Sequence, residues 1–238
     1  MTDSTTRYPL IQVEVPSNVN FRDHAATFAI EMSLIHNVFI RGLNSLFTMA
    51  PRVTEADAID FAGYALTWTH LLHAHHHGEE TILFPFFKTK FDMDHNVNQH
   101  KEFIEPMKAF EDYMVEVQKK QAPFDGQKAR EIIESFGDVL VTHLHEEIPT
   151  MSPERLSQFD QAEFNAVIKT HDDHIKAMPL TEAHVFVLTH HDIKAVPSWP
   201  PAPAPVFFII RNFAYWKHRR CWKFAPFARY GAPQTYAL

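Results

Sequence analysis

Cysteine is almost missing from this 238-residue chain. Cys221 stands alone, which excludes a disulfide framework and any zinc site built from several thiolates. Glycine is scarce too, at 6 residues, a poor match for barrels and sandwiches whose turns depend on it. No apolar run reaches the ~18 residues of a membrane-spanning helix. The opening MTDSTTRYPLIQVEVPSN lacks the basic start and apolar stretch of a secretory signal, so a reducing, cytoplasmic setting is expected. The sequence holds no Gly-x-Ser-x-Gly elbow and no glycine-rich phosphate loop. Cys221 sits in a basic, aromatic stretch without a paired histidine motif and is not read as a nucleophile.

What is present points to helices. Apolar residues make up 45% of the chain, enough for a sizeable core, and 16 prolines mark segment ends. Histidine is abundant, at 17 residues. Charge is divided along the chain. Beyond residue 200 lie Arg211, Lys217, Arg219, Arg220, Lys223 and Arg229 and no acid, so the overall −7 leaves −13 on the first 200 residues. An acidic body argues against nucleic acid as a partner. The basic tail is expected to pack back onto that body, with an anionic membrane surface as the alternative.

Four segments carry apolar residues at helical spacing. The first runs from Asn20 to Phe47 through Phe28, Met32, Phe39 and Leu43, and the second opens at Thr54-Glu55-Ala56-Asp57 in the manner of a capping box. The stripe of the second is Phe61, Tyr64, Trp68, Leu72, His75, Glu79, Ile82 and Phe86. The third begins near Asp94, and the fourth near Asp125, ending before Pro149. Short connections predict an all-α, up-down-up-down four-helix bundle over residues 20–150. Residues 151–238 form an extension that packs on it, with a further helix over 160–178 and an extended, proline-rich stretch over 197–205. Pro85 and Pro106 are expected to kink or end their helices, since each removes a hydrogen bond and crowds the preceding turn.

The informative residues are polar ones on these apolar stripes. His36 lies one turn from Met32 and Phe39, His75 and Glu79 follow each other on the second stripe, His100 is on the third, and His143 and Glu147 are on the fourth. Unpaired carboxylates in a bundle core each cost several kcal/mol. His-x3-Glu puts both side chains on one face a turn apart, the spacing that lets two groups share a metal. A lone core histidine is ordinarily a satisfied one, and a lone His-x3-Glu pair is ordinarily a surface pair. Six such groups on the inward faces of four consecutive helices make a metal site. The neighbouring His70, His73, His76 and His77 are expected on a solvated face, and the remaining histidines are assigned no role.

These residues also carry a family resemblance. IHNVFIRGLNSLF, HHHGEETILFPFF, NQHKEFI and VTHLHEEIPTM, in that order, together with the tail RRCWKFAPFARYGAP, resemble the hemerythrin/HHE cation-binding family, its fungal members in particular. The resemblance implies a non-haem di-iron centre held by His36, His75, Glu79, His100, His143 and Glu147. The pattern departs at one position. Where the family has a second histidine on the third helix, this chain has Ile104 followed by Glu105-Pro106. His76 and Asn96 are the candidate substitutes, and Glu80 and Glu146 weaker ones. Glu79 and Glu147 are expected to bridge, with His36 and His75 on one metal and His100 and His143 on the other. The nitrogen and carboxylate donors suit iron, with zinc and manganese as competitors.

Three functions follow. One is reversible binding or sensing of O2, NO or iron. A second is an O2-dependent oxidoreductase, favoured by an incomplete ligand set and acting on an apolar organic substrate, with a place in a metabolic pathway. The third is an interaction protein with a degraded metal site. An oxidoreductase needs an apolar cavity reaching the metals, and Trp199, Phe207, Phe208, Trp216 and Trp222 are placed to wall one.

Overall fold

The computed structural model describes residues 6–234, and its long helices follow the apolar stripes. α1 (His24–Met49) starts where the Asp23 side chain accepts from the Ala26 amide, four residues later than the stripe suggests. Two 3-10 turns lead into α2 (Ala58–Gly78). The expected capping box is not formed. Thr54 makes no side-chain cap bond, and the Asp57 carboxylate pairs instead with Lys223 at 2.5 Å. A π turn, Glu79–Leu83, separates α2 from the short α3 (Phe84–Phe87), whose first turn holds Pro85. A proline ring excludes the carbonyl four residues back, and the wider π turn accommodates it.

α4 (Asp94–Gln118) runs through Pro106 without ending there. The carbonyl deprived of its donor belongs to Glu102, on the exposed side where water is available. α5 (Gly126–Glu146) is capped by Asp125, whose carboxylate accepts from the amides of Gln127 and Lys128. α1, α2, α4 and α5 make the four-helix bundle. Its core stacks Leu43 and Leu46, Phe61, Tyr64 and Trp68, Phe103, Met107 and Phe110, and Phe136 and Leu140, all but closed to solvent. Burying each such side chain contributes roughly 1.5–3 kcal/mol.

Beyond Pro149 the chain wraps the bundle. α6 (Pro153–Leu156) precedes α7 (Gln161–Lys176), which the Asp160 side chain caps. A π turn over Leu180–His184 continues as α8 (Val185–His190), which the sequence reading did not anticipate. The proline-rich stretch gives way to α9 (Ala204–Ile209), a π turn (Ile210–Ala214) and α10 (Tyr215–Lys217). The basic tail packs back in part. Arg220 and Lys223 pair with Asp60 at 3.0 and 3.1 Å. Burial pushes the Cys221 thiol up to about 11, which favours the thiol over the thiolate. No helix among the described residues is long and apolar enough to cross a membrane.

Candidate metal centre

Each of the four bundle helices delivers histidine or glutamate to one point in the core. α1 brings His36, α2 His75 and His76, and α4 His100, while Glu79 opens the π turn after α2. α5 brings His143, and Glu147 caps its end. All seven are buried. Their donor atoms form two groups within 4.8 Å, one of His36, His75, Glu79 and Glu147 and the other of His76, Glu79, His100 and His143. Glu79 belongs to both.

The outer hydrogen bonds decide which ring nitrogens carry protons. His36 Nδ1 donates to the Leu144 carbonyl at 2.8 Å, and His100 Nδ1 donates to Glu80 Oε1 at 2.7 Å. Gln99 donates its amide to Glu146 Oε2 at 2.6 Å, which turns its carbonyl oxygen toward His143 Nδ1 at 3.2 Å. Each of these rings is neutral, so its Nε2 carries a bare lone pair. Yet His100 Nε2 lies 3.1 Å from His143 Nε2, and His36 Nε2 lies 3.1 Å from His75 Nε2. The first of these contacts sets two lone pairs face to face, an arrangement that repels unless a cation lies beside both. Ligands about 2.0–2.2 Å from one metal stand about 3 Å from each other. His75 Nε2 is 3.0 Å from Glu79 Oε1, and Glu147 Oε2 is 3.4 Å from His36 Nε2.

Charge leads to the same place. Burial, followed by the neighbouring imidazoles, holds His36, His76 and His143 well below the usual histidine range, and burial takes His75 to about 3. The imidazoles are therefore neutral donors. Burial pushes Glu79 and Glu147 well above the carboxylate range, with the charge of Glu80 adding to the first and that of Glu79 to the second. The two carboxyls lie against each other, with His75 beside Glu79 and Asn96 beside Glu147, yet none of their four oxygens meets a donor in good hydrogen-bond geometry, and His76 Nε2 has no partner. Orphaned buried oxygens are costly, and divalent cations between the two carboxylates would satisfy them. The residues present fit a two-metal centre.

The six residues singled out in the sequence all converge, and the donor count needs correction at a seventh. Ile104 is half-buried against the apolar core. His76, expected on the solvated face, is instead inside, its ring centroid 4.4 Å from that of His100 and 5.0 Å from that of Phe103. One residue turns a helix by about 100°. From α2, which packs on both α1 and α4, His75 meets His36 and His76 meets His100. The signal was available, because Glu79 stands at i+4 from His75 and at i+3 from His76, both same-face spacings. With His76 the candidate group on that side numbers four residues, His76, Glu79, His100 and His143. Glu80 and Glu146 act outside it, on His100 and through Gln99 on His143. Asn96 is buried close to Glu147. His70 and His77 face solvent as expected.

A cavity of about 330 Å³ opens onto the His75 side of this centre. Phe28 and Met32 of α1, Leu71 of α2, Ile168 of α7, and Trp199 and Phe207 of the extension wall it. Gly78 allows α7 this close, since a Cβ there would stand 3.3 Å from the His171 ring. Of the other aromatics expected to line a cavity, Phe208 and Trp216 face solvent and Trp222 is buried in the core. The polar groups on the lining include Glu31 and His171. Glu31 accepts from the Thr27 hydroxyl at 3.3 Å, and burial pushes its carboxyl up to about 7. His171 Nε2 has no hydrogen-bond partner, and burial lowers its ring to about 4.

The hemerythrin HHE cation-binding domain matches residues 30–154, a span that holds every donor of the two groups. The chain belongs to this hemerythrin family. It is a helical cation-binding protein with candidate His/Glu metal sites, and its donors sit on the four helices of the hemerythrin bundle. It is also 28% identical, over 243 residues, to the dimeric xanthone biosynthesis cluster protein R11 of Cryptosporiopsis sp. (strain 8999), an alignment covering 95% of this chain and 89% of the relative. That similarity extends past the hemerythrin match into the C-terminal extension. No solved structure matches the chain.

Proposed function

We propose that this hemerythrin-family chain is an O2-dependent non-haem di-iron oxidoreductase acting on a flat, apolar organic molecule held in the cavity beside His75. The observation that carries this reading is the cavity itself. Its volume of about 330 Å³ falls in the ~300–1,000 Å³ range of small-molecule sites, whereas carriage of O2 needs only a small dry pocket. His36, His75 and Glu147 would hold one iron, His76, His100 and His143 the other, and Glu79 both. Iron on mixed imidazole and carboxylate donors supplies the redox chemistry that O2 requires.

The residues around it divide the remaining work. Phe28, Met32, Leu71 and Trp199 exclude water and stack on an aromatic substrate. Glu31, whose proton is labile near neutrality, and His171, with a free ring nitrogen, orient a hydroxyl or carbonyl group on it. The relative named for dimeric xanthone biosynthesis supports a polycyclic phenol as the substrate class and a biosynthetic pathway as the setting.

A second reading, reversible O2 binding or sensing, draws support from His76, which restores a full donor count and removes the open position as an argument for turnover. One experiment separates the two. The chain is reconstituted anaerobically with ferrous iron and exposed to O2 with and without a hydroxyxanthone as probe. An oxidoreductase consumes O2 in a probe-dependent way and yields an oxidised probe. A carrier takes up O2, returns it on degassing and leaves the probe unchanged.

A further inference from the structure

Residues 204–217 are apolar on both of their faces. Phe207 and Ile210 line the cavity and Ala214 is buried. On the other side Phe208, Ile209, Phe213 and Trp216 are 46–66% exposed. Arg211, Asn212 and Lys217 interrupt this apolar segment, and contiguous exposed apolar patches on soluble chains mark interaction sites. Cations outnumber acids around this patch, where Glu182, 3.7 Å from His218, is the acid beside the segment. Arg211, Lys217, Arg219 and Arg229 have no carboxylate partner among the described residues, unlike Arg220 and Lys223, which the body neutralises. The guanidiniums of Arg229 and Arg219 lie 5.0 and 5.8 Å from the Trp216 ring, so aromatic and cationic groups form one surface.

We propose that this face docks on an anionic membrane surface. Phe208, Ile209, Phe213 and Trp216 enter the boundary between headgroups and acyl chains, and Lys217, Arg219 and Arg229 meet the headgroup charges, the pattern of interfacial helices. Charge selects lipid over a second copy of the chain. A two-fold contact through this face would set its cations against their own copies, whereas the first 200 residues, at −13, are repelled by an anionic bilayer and orient the chain with its tail toward it. Docking would also put the outer wall of the cavity at the bilayer, a route for an apolar substrate. That last consequence rests on the function proposed above; the docking does not.

The test is co-sedimentation of the iron-loaded full chain with phosphatidylcholine vesicles, with and without phosphatidylserine, at low and high salt. The chain is expected to bind the phosphatidylserine vesicles, to be released by salt, and to show Trp216 quenching by brominated lipid. Arg219→Glu with Arg229→Glu should weaken binding by more than about tenfold, each basic residue being worth about fivefold. Phe213→Ser with Trp216→Ser should abolish it, with helicity and iron content unchanged. Absence of vesicle binding, equal binding to neutral vesicles, or a dimer that Phe213→Ser dissociates would each overturn the proposal. Oxidation of the probe is measured without vesicles, so failure here leaves that reading standing, and failure there leaves this one.

Discussion

The imidazole of His76 stacks at a tilt on that of His100, their ring centroids 4.4 Å apart, on the side of the centre where Ile104 offers no nitrogen. On the function proposed above, His76 of α2 takes the place that α4 leaves open. Ile104→His should therefore leave iron per chain unchanged after ferrous reconstitution, since the donor group is already complete. A rise in iron content in that variant would show that His76 does not serve.

Glu79 is shared by both donor groups, and both of its oxygens lack a hydrogen-bond partner. Glu79→Gln should lower the affinity for both ions, whereas His36→Ala should affect one. Because the ions bind the folded chain and not the unfolded one, iron should raise the Tm of the wild type by more than that of Glu79→Gln. Equal iron-dependent Tm shifts in the two proteins would refute the bridging assignment.

Glu80 and Gln99 touch imidazole Nδ1 atoms from outside the donor groups. Outer partners of this kind are worth about 10–100-fold in metal affinity. Glu80→Ala and Gln99→Ala should each reduce affinity by about that factor in a competition titration with a chelator, with stoichiometry at saturation unchanged. A loss of stoichiometry instead would place Glu80 among the donors.

Glu31, five residues before His36, gives a pH signature from outside the two donor groups. Its carboxyl is raised from 4.5 to about 7, mainly by burial. The folded chain therefore keeps a proton that the unfolded chain releases, so the contribution to stability is full below about 4.5 and is lost as pH rises to about 7. The loss is on the order of 1–2 kcal/mol after allowance for partial exposure. Glu31→Gln should remove this component, and its Tm relative to wild type should climb across that window. Parallel Tm curves for the two proteins would contradict it.

The helices and six of the seven candidate donors were legible because burial imposes a period on sequence, and a polar residue on an apolar stripe breaks that period visibly. His36, His100 and His143 stand out for that reason. His76 did not, because it falls off the single stripe that a regular helix would show; α2 packs on two neighbours, so two of its directions face inward. The π turns at Glu79, Leu180 and Ile210 leave no periodic trace. The cavity depends on contacts between α1 and segments such as Trp199 and Phe207, more than 150 residues later, which no local pattern encodes.

The most direct measurement is iron per chain in the wild type and in His76→Ala, after anaerobic ferrous reconstitution and desalting. Two irons are expected in the wild type and one in His76→Ala, with the remaining iron held by His36, His75, Glu79 and Glu147. One iron or none in the wild type, or two retained in His76→Ala, would contradict it.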